Sequence, residues 1–150
     1  MSEQITKSIH FHYTDQSFYL PRRTDLKKFI LQIFKMEGCA PEEINYIFCS
    51  DDYLFNLNNT YLKHKTYTDI ITFQYSWPPQ LILSDIYISV ERVRENAKLY
   101  NTSFLNELYR VIFHGALHLC GYKDKSKKDE LQMRSKENFY LSLYVPRGIK

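Results

Sequence analysis

Two kinds of apolar spacing alternate along this chain, and their order constrains the fold more than any other sequence feature. Short apolar segments of strand type occur four times, and apolar residues three and four positions apart, the spacing of a helix face, occur in five longer segments. The predicted order is β-α-β-α-β-β-α-α-α. We therefore expect an α+β fold, with a small mixed β-sheet packed by about five helices in a single domain over residues 1–150.

Turn and cap residues support this division into elements. The predicted strands are Ile5–Phe11, 44–49, 70–75 and 81–89. Trp77-Pro78-Pro79 separates the last two strands, and because proline cannot donate a backbone hydrogen bond, we expect a turn and a hairpin there. Thr24 and Ser50 are expected to cap the first two helices. Ser126 and Asp129 form a predicted capping box for the last helix, which should extend to about residue 140.

The composition excludes several classes of protein. Aromatic residues make up 16% of the chain and only four glycines are present, so the chain is neither disordered nor fibrous. The net charge is +3, which is too small to indicate nucleic-acid binding by itself. Basic residues are concentrated in residues 123–136, which form either a solvated helix face or a surface for RNA.

The cysteines and the apolar runs predict the cellular environment. Cys39, Cys49 and Cys120 are an odd number without a CxxC pair, which favours buried thiols over a disulfide framework and a reducing cytosol as the environment. No apolar run approaches the length of a membrane span, and no apolar leader opens the sequence. We therefore expect a soluble, cytoplasmic protein without a membrane partner.

His114 and His118 lie four positions apart on the fourth predicted helix. Residues at that spacing share a helix face, with Cβ atoms about 5–6 Å apart, so both imidazoles can reach one metal ion at about 2.0–2.1 Å. Two ordinary histidines on a half-buried face give the same pattern, and a third ligand would distinguish the two cases. Gly121 is expected to end the helix, and Asp124 follows where a returning chain would bring a carboxylate toward the same ion.

Gly115 occupies the position after the first histidine, where HExxH metallopeptidases carry a general-base Glu. A peptidase is therefore disfavoured. Glycine also costs about 1 kcal/mol in a helix interior. Its presence indicates that the backbone needs room there for a substrate or a neighbouring strand.

The segment from His114 to Asp124, HGALHLCGYKD, resembles the H-G-x-L-H-L-x-G-[YH]-D-H signature of the YbeY family of metal-dependent endoribonucleases. Residues 57–73 contain LNNTY and TDIITF, which are similar to the family's L-N-x-x-Y-R-x-K-D-x-P-T-D-V-L-S-F, and SDIYIS at 84–89 is similar to its G-D-I-x-I-S. The resemblance implies a zincin-like domain with one zinc ion held by three side chains. It also implies endoribonuclease action in 3′-end maturation of small-subunit ribosomal RNA and in ribosome quality control, with the small ribosomal subunit and a small-subunit protein as partners.

The resemblance assigns individual residues. His114 and His118 match the first two metal ligands and are the expected catalytic residues. The third histidine of the family falls on Asp124, which completes a His₂Asp site and opens the choice of ion from Zn²⁺ to Mn²⁺ or similar metals.

The main departure from the family concerns a cation. The family's arginine after the tyrosine, a phosphate contact, falls on Leu62. Lys63 and His64 are candidates to replace it in RNA binding, together with Lys123 and Lys125 beside the metal motif. All four are otherwise ordinary surface residues.

Two other functions stay open. One is a non-catalytic ribosome-assembly factor that binds ribosomal RNA or a small-subunit protein and holds a structural metal, which the missing arginine favours. The other is a metallopeptidase. Asp69 and Asp85 are either residues that orient a ligand or turn residues at strand ends.

Overall fold

A computed structural model describes residues 8–62 and 68–145. Nine elements occur in these ranges in the predicted order, which confirms the α+β fold with five helices and one mixed sheet. The strands are β1 (Ile9–Tyr13), β2 (Pro41–Cys49), β3 (Ile70–Gln74) and β4 (Ile82–Ser89). The helices are α1 (Arg23–Met36), α2 (Asp51–Tyr61), α3 (Val90–Leu99), α4 (Phe104–Leu119) and α5 (Lys127–Tyr144). No helix in the described ranges is both long and apolar enough to cross a membrane.

The four strands form a sheet with the order β1-β2-β4-β3. β2 pairs in parallel with both β1 and β4, and β3 pairs with β4 antiparallel. The antiparallel pair is the predicted hairpin, and its connection contains Trp77 and a cis peptide bond between Pro78 and Pro79. Ile5, which the sequence places in the first strand, lies outside the described residues.

One face of the sheet carries the main hydrophobic core. Alternate strand residues point to the same face, and Ile44, Tyr46, Ile86 and Ile88 are fully buried in one cluster with apolar residues of α1, α4 and α5. A smaller cluster on the other face joins Cys49 and Ile71 to α2. The sheet therefore places α4 on its densely packed side and leaves the other side partly covered.

Gly115 brings α4 against the hairpin. A Cβ atom at this position would lie 3.2 Å from Cδ1 of Ile70 and 3.2 Å from Cδ1 of Ile86. Those distances are shorter than the ~3.5–4.0 Å at which carbon atoms attract best. The space left by the missing side chain of Gly115 is therefore occupied by neighbouring strands, β3 and β4, as one of the two predicted alternatives.

Replacing Gly115 with Val is expected to lower the free energy of unfolding by about 1–3 kcal/mol, because the added methyl groups overpack the contact with the sheet. Urea denaturation followed by circular dichroism measures the loss. Gly115→Ala is the intermediate control, since its gain in helix propensity of about 1 kcal/mol opposes a smaller clash. A valine variant as stable as the parent protein would contradict the tight contact.

Two helix ends differ from the prediction. The prediction of Thr24 as a cap was wrong, because α1 begins at Arg23 and the carbonyl of Arg22 accepts the hydrogen bond from Leu26 N–H at 3.0 Å. α5 continues to Tyr144 instead of ending near residue 140, because its last turn packs into the core.

The serine caps are confirmed. Oγ of Ser50 accepts a hydrogen bond from the backbone N–H of Tyr53 at 3.1 Å. Oγ of Ser126 accepts one from the N–H of Asp129 at 3.1 Å, which is one half of the predicted capping box.

The prediction that all three cysteines are free thiols was wrong for two of them. Cys39 and Cys120 form a disulfide, with Cα atoms 6.1 Å apart, although the two residues are 81 positions apart in sequence. The bond joins the chain just after α1 to the C-cap of α4. Residues so distant in sequence meet only when these two helices pack. The number of cysteines and their spacing in the sequence cannot reveal this contact. Cys49 is buried and free, as predicted.

Candidate active site

The two histidines of the motif lie on one face of α4. Ser103 caps this helix by accepting a hydrogen bond from the N–H of Asn106 at 3.0 Å. The rings of His114 and His118 are stacked, with centroids 6.3 Å apart and planes 5° apart. His114 is half-buried and His118 is exposed. One end of the pair therefore faces the interior and the other faces solvent.

Asp124 returns to α4 after the helix ends. Gly121 has φ +106°, a conformation that other residues rarely adopt, and its N–H donates to the carbonyl of His118 at 3.1 Å. The chain that follows places Oδ2 of Asp124 3.3 Å from Nε2 of His114. The structure thus brings together two of the three predicted metal ligands.

The loop that carries Asp124 is also held from α1. The carboxylate of Glu37 accepts hydrogen bonds from the Tyr122 hydroxyl at 2.7 Å, from Lys136 Nζ at 3.2 Å and from the Tyr140 hydroxyl. Burial raises the pKa of Glu37, but these hydrogen bonds outweigh it and leave the pKa below its usual value. The ionised carboxylate therefore ties α1, the loop and α5 together.

Glu137 is a site residue that the sequence analysis missed. Its Oε2 lies 2.7 Å from Nδ1 of His114, and its Oε1 accepts a hydrogen bond from Nη1 of Arg110 at 3.0 Å. Only 6% of the side chain is exposed. One signal was available: Glu137 interrupts the buried stripe of α5 that runs from Met133 to Tyr144, and a buried carboxylate requires a partner.

Burial and charge act on the site in opposite directions. Burial lowers the pKa of His114, but the hydrogen bond and charge of Glu137 outweigh it and raise the pKa above its ordinary value. Burial raises the pKa of Glu137, but the hydrogen bond and charge of His114 and the hydrogen bond from Arg110 outweigh it and lower the pKa. Burial also raises the pKa of Asp69 and of Glu107. An ionised Glu137 therefore lies among carboxyl groups that protonate more easily.

The predicted ligands are of kinds that zinc accepts, but their atoms do not converge. Glu137 contacts Nδ1 of His114, and Nε2 is left facing Asp124. In the described part of the chain, no three His, Cys, Asp or Glu side chains lie close enough to hold one ion. The exposed ring of His118 is the donor that would have to turn toward the other two. The residue types therefore fit a His₂Asp zinc site, although their atoms are not arranged around one point.

A cavity of about 620 Å³ opens beside His114. The beginning of β3, the end of α3 and one face each of α4 and α5 line it. Asp124 and Glu137 are among the lining residues, and so are two cations of α5, Lys127 and Arg134. A substrate in this cavity would therefore touch the first histidine of the motif.

The other candidates are spread apart. Asp69 lines the cavity, whereas Asp85 lies on the far face of the sheet and accepts a hydrogen bond from Asn45 at 3.1 Å, away from His114. Lys123 and Lys125 are exposed and are not among the lining residues.

The predicted replacement for the family's arginine cannot be placed. Lys63 and His64 lie outside the described residues, and Leu62, before them, is exposed at the end of α2. Lys127 and Arg134 are cations at the cavity that the sequence analysis did not single out as candidates.

Comparisons with known proteins agree with the motif. The family model described as Endoribonuclease YbeY matches residues 10–145. The Endoribonuclease YbeY of Flavobacterium psychrophilum is 48% identical over 136 residues, which are 91% of this chain and 96% of that protein. That of Cytophaga hutchinsonii is 44% identical over 137 residues, again 91% and 96%. The solution structure of TM1509 from Thermotoga maritima superposes with a TM-score of 0.66 at 28% identity, covering 92% of this chain and 89% of that one.

Proposed function

This chain belongs to the YbeY family, and from that membership we propose that it is an endoribonuclease that uses one bound divalent metal ion. We propose Zn²⁺ first, because two imidazoles and a carboxylate are donors that zinc accepts, and Mn²⁺ as the alternative that Asp124 admits. The proposed process is 3′-end maturation of small-subunit ribosomal RNA in the cytoplasm. The small ribosomal subunit and one of its proteins are the proposed partners.

One observation supports this proposal most directly: the pairing of His114 and Asp124 in the wall of the cavity. Their side chains approach to 3.3 Å on the side of the imidazole opposite Glu137. His114, His118 and Asp124 would hold the ion, which when bound supplies an acidified water molecule and polarises a phosphoryl oxygen.

The charges of the cavity indicate how RNA would be positioned. Acidic residues outnumber basic ones in the lining, so the cavity gives an RNA phosphate little net attraction in the absence of a divalent cation. The carboxylates are Asp69, Glu107, Asp124, Glu130 and Glu137, and the cations are Arg110, Lys127 and Arg134. Lys127 and Arg134 are exposed on α5 and are the proposed contacts to the RNA backbone.

Removal of the metal by a chelator is therefore expected to abolish cleavage of single-stranded RNA and to weaken RNA binding as well. Gel analysis of labelled RNA measures cleavage, fluorescence anisotropy measures binding, and added Zn²⁺ or Mn²⁺ should restore both. Undiminished cleavage after metal analysis has verified the loss of the ion would contradict the proposal.

Asp124→Ala tests the ligand that departs from the family. This variant is expected to lose at least about 100-fold in Zn²⁺ affinity, because removing a ligand should exceed the 10–100-fold effect of removing a ligand's hydrogen-bond partner. Asp52→Ala, which removes an exposed carboxylate of α2, is the matched control. RNA binding without cleavage at any metal concentration would instead favour the non-catalytic assembly factor.

The fold argues against a metallopeptidase. Position 115, where an HExxH enzyme carries its Glu, faces Ile70 and Ile86 with 3.2 Å left for a Cβ atom. A side chain at this position would therefore run into the apolar side chains of the sheet.

A further inference from the structure

Glu137 orients the imidazole of His114, and we infer that it is a positioning residue of the metal site, which presents Nε2 of His114 to the ion. This inference rests on the metal-dependent function proposed above. Glu137 is on α5, outside the motif that carries the predicted ligands.

The hydrogen bond determines which nitrogen of His114 is free. Oε2 of Glu137 lies 2.7 Å from Nδ1. An ionised carboxylate can only accept hydrogen bonds, so Nδ1 carries a proton, and in the neutral ring Nε2 then keeps its lone pair. Nε2 is the nitrogen that faces Asp124, 3.3 Å away. The tautomer that Glu137 selects is therefore the one that can bind a metal beside Asp124.

Two arginines hold the carboxylate in this orientation. Nη1 of Arg110 donates to Oε1 of Glu137 at 3.0 Å, and Nη1 of Arg134 lies 3.5 Å from the same oxygen. Arg110 precedes His114 by one helical turn, so α4 contacts both oxygens of Glu137. Because its other oxygen is taken and the side chain is buried, the carboxylate has little freedom to turn away from the imidazole.

Glu137→Gln is the decisive variant. Arg110 and His114 contact different oxygens of the carboxylate, and the amide places an oxygen at only one of these two positions, so in this arrangement it cannot accept from both. Because the guanidinium of Arg110 is always charged and can only donate, the amide oxygen stays on the side of Arg110. The amide nitrogen then faces Nδ1 and donates to it, which moves the proton of His114 to Nε2.

Two measurements on the metal-free protein follow this change. The ¹⁵N shifts of the His114 ring, at a pH where the ring is neutral, are expected to show the Nδ1–H tautomer in the parent protein and the Nε2–H tautomer in Glu137→Gln. Titration with Zn²⁺ against a competing chromophoric chelator is expected to show a 10–100-fold loss of affinity in the variant. Glu130→Gln is the matched control, because it removes a carboxylate of the same helix from the cavity wall and should leave the tautomer unchanged.

The tautomer separates this inference from the proposed function. An unchanged Nδ1–H tautomer in folded Glu137→Gln overturns the positioning role, whether or not the parent protein binds zinc. A changed tautomer in a parent protein that binds no zinc would support the positioning of His114 and contradict the metal site. If the Gln variant does not fold, Glu137→Asp keeps the charge but withdraws it by one methylene group, and a mixture of tautomers is then expected; a pure Nδ1–H form there would overturn the role.

Discussion

Replacement of His114 with Ala is expected to lower RNA cleavage by at least about 10³-fold. The variant removes the imidazole that faces Asp124 and lines the cavity, and with it a predicted metal ligand. A bound metal contributes several kcal/mol to catalysis. Since 1.36 kcal/mol corresponds to a factor of ten in rate, a loss of about 4 kcal/mol gives this factor. Single-turnover cleavage of labelled RNA, with metal content measured on the same sample, tests it.

His12→Ala is the control for this prediction. His12 is an exposed histidine of β1 that contacts Asn45 on the far face of the sheet. Its removal should leave cleavage within about twofold, because His12 is not among the residues that line the cavity and an exposed position of this kind should change stability by no more than about 0.5 kcal/mol. Equal cleavage by both variants and the parent protein would refute the assignment of the active site.

Replacement of Phe113 with Ala is expected to lower the free energy of unfolding by about 3–5 kcal/mol, the range for large buried aromatic side chains. Phe113 is fully buried next to His114 on α4. Its ring lies 5.2 Å from that of Phe29, 5.8 Å from that of Tyr144 and 6.4 Å from that of Tyr109 between centroids. Removing it leaves a cavity where α1, α4 and α5 meet.

Guanidinium denaturation measures this loss, with an unchanged slope as the sign that only the native state is affected. Tyr19→Ala is the control, because 83% of Tyr19 is exposed and its removal should have an effect within about 0.5 kcal/mol. A loss below about 1 kcal/mol for Phe113→Ala would mean that neighbouring rings close the space.

The order of elements could be predicted because each one has a local signal. The hairpin was marked by Pro78 and Pro79, and the starts of α2 and α5 by Ser50 and Ser126. The start of α1 could not be predicted, because Arg22 adopts a left-handed conformation, with φ 51°, that its side chain does not favour.

The residues of the site also differ in whether a local sequence signal predicts them. His114 and Asp124 lie within one short segment, so a helix followed by a turn glycine was enough to predict their approach. His118 shares the helix face of His114, but no third ligand converges on the pair in the described residues. Glu137 is 23 residues beyond His114, and only the packing of α5 on α4 brings them together. The disulfide between Cys39 and Cys120 was missed for the same reason. Contacts between distant segments depend on how helices cross, which no local pattern records.

The contact at Gly115 also removes competing packings of the core. Its neighbours in α4 are His114 and Ala116. A shift of the helix by one residue along and around its axis would bring an imidazole or a methyl group to the point where a Cβ atom has only 3.2 Å to Ile70 and Ile86. Each shifted arrangement is therefore higher in energy, which widens the gap between the native state and other compact states. The orientation of His114 is thus a property of the whole helix–sheet interface as well as of its own side-chain rotamer.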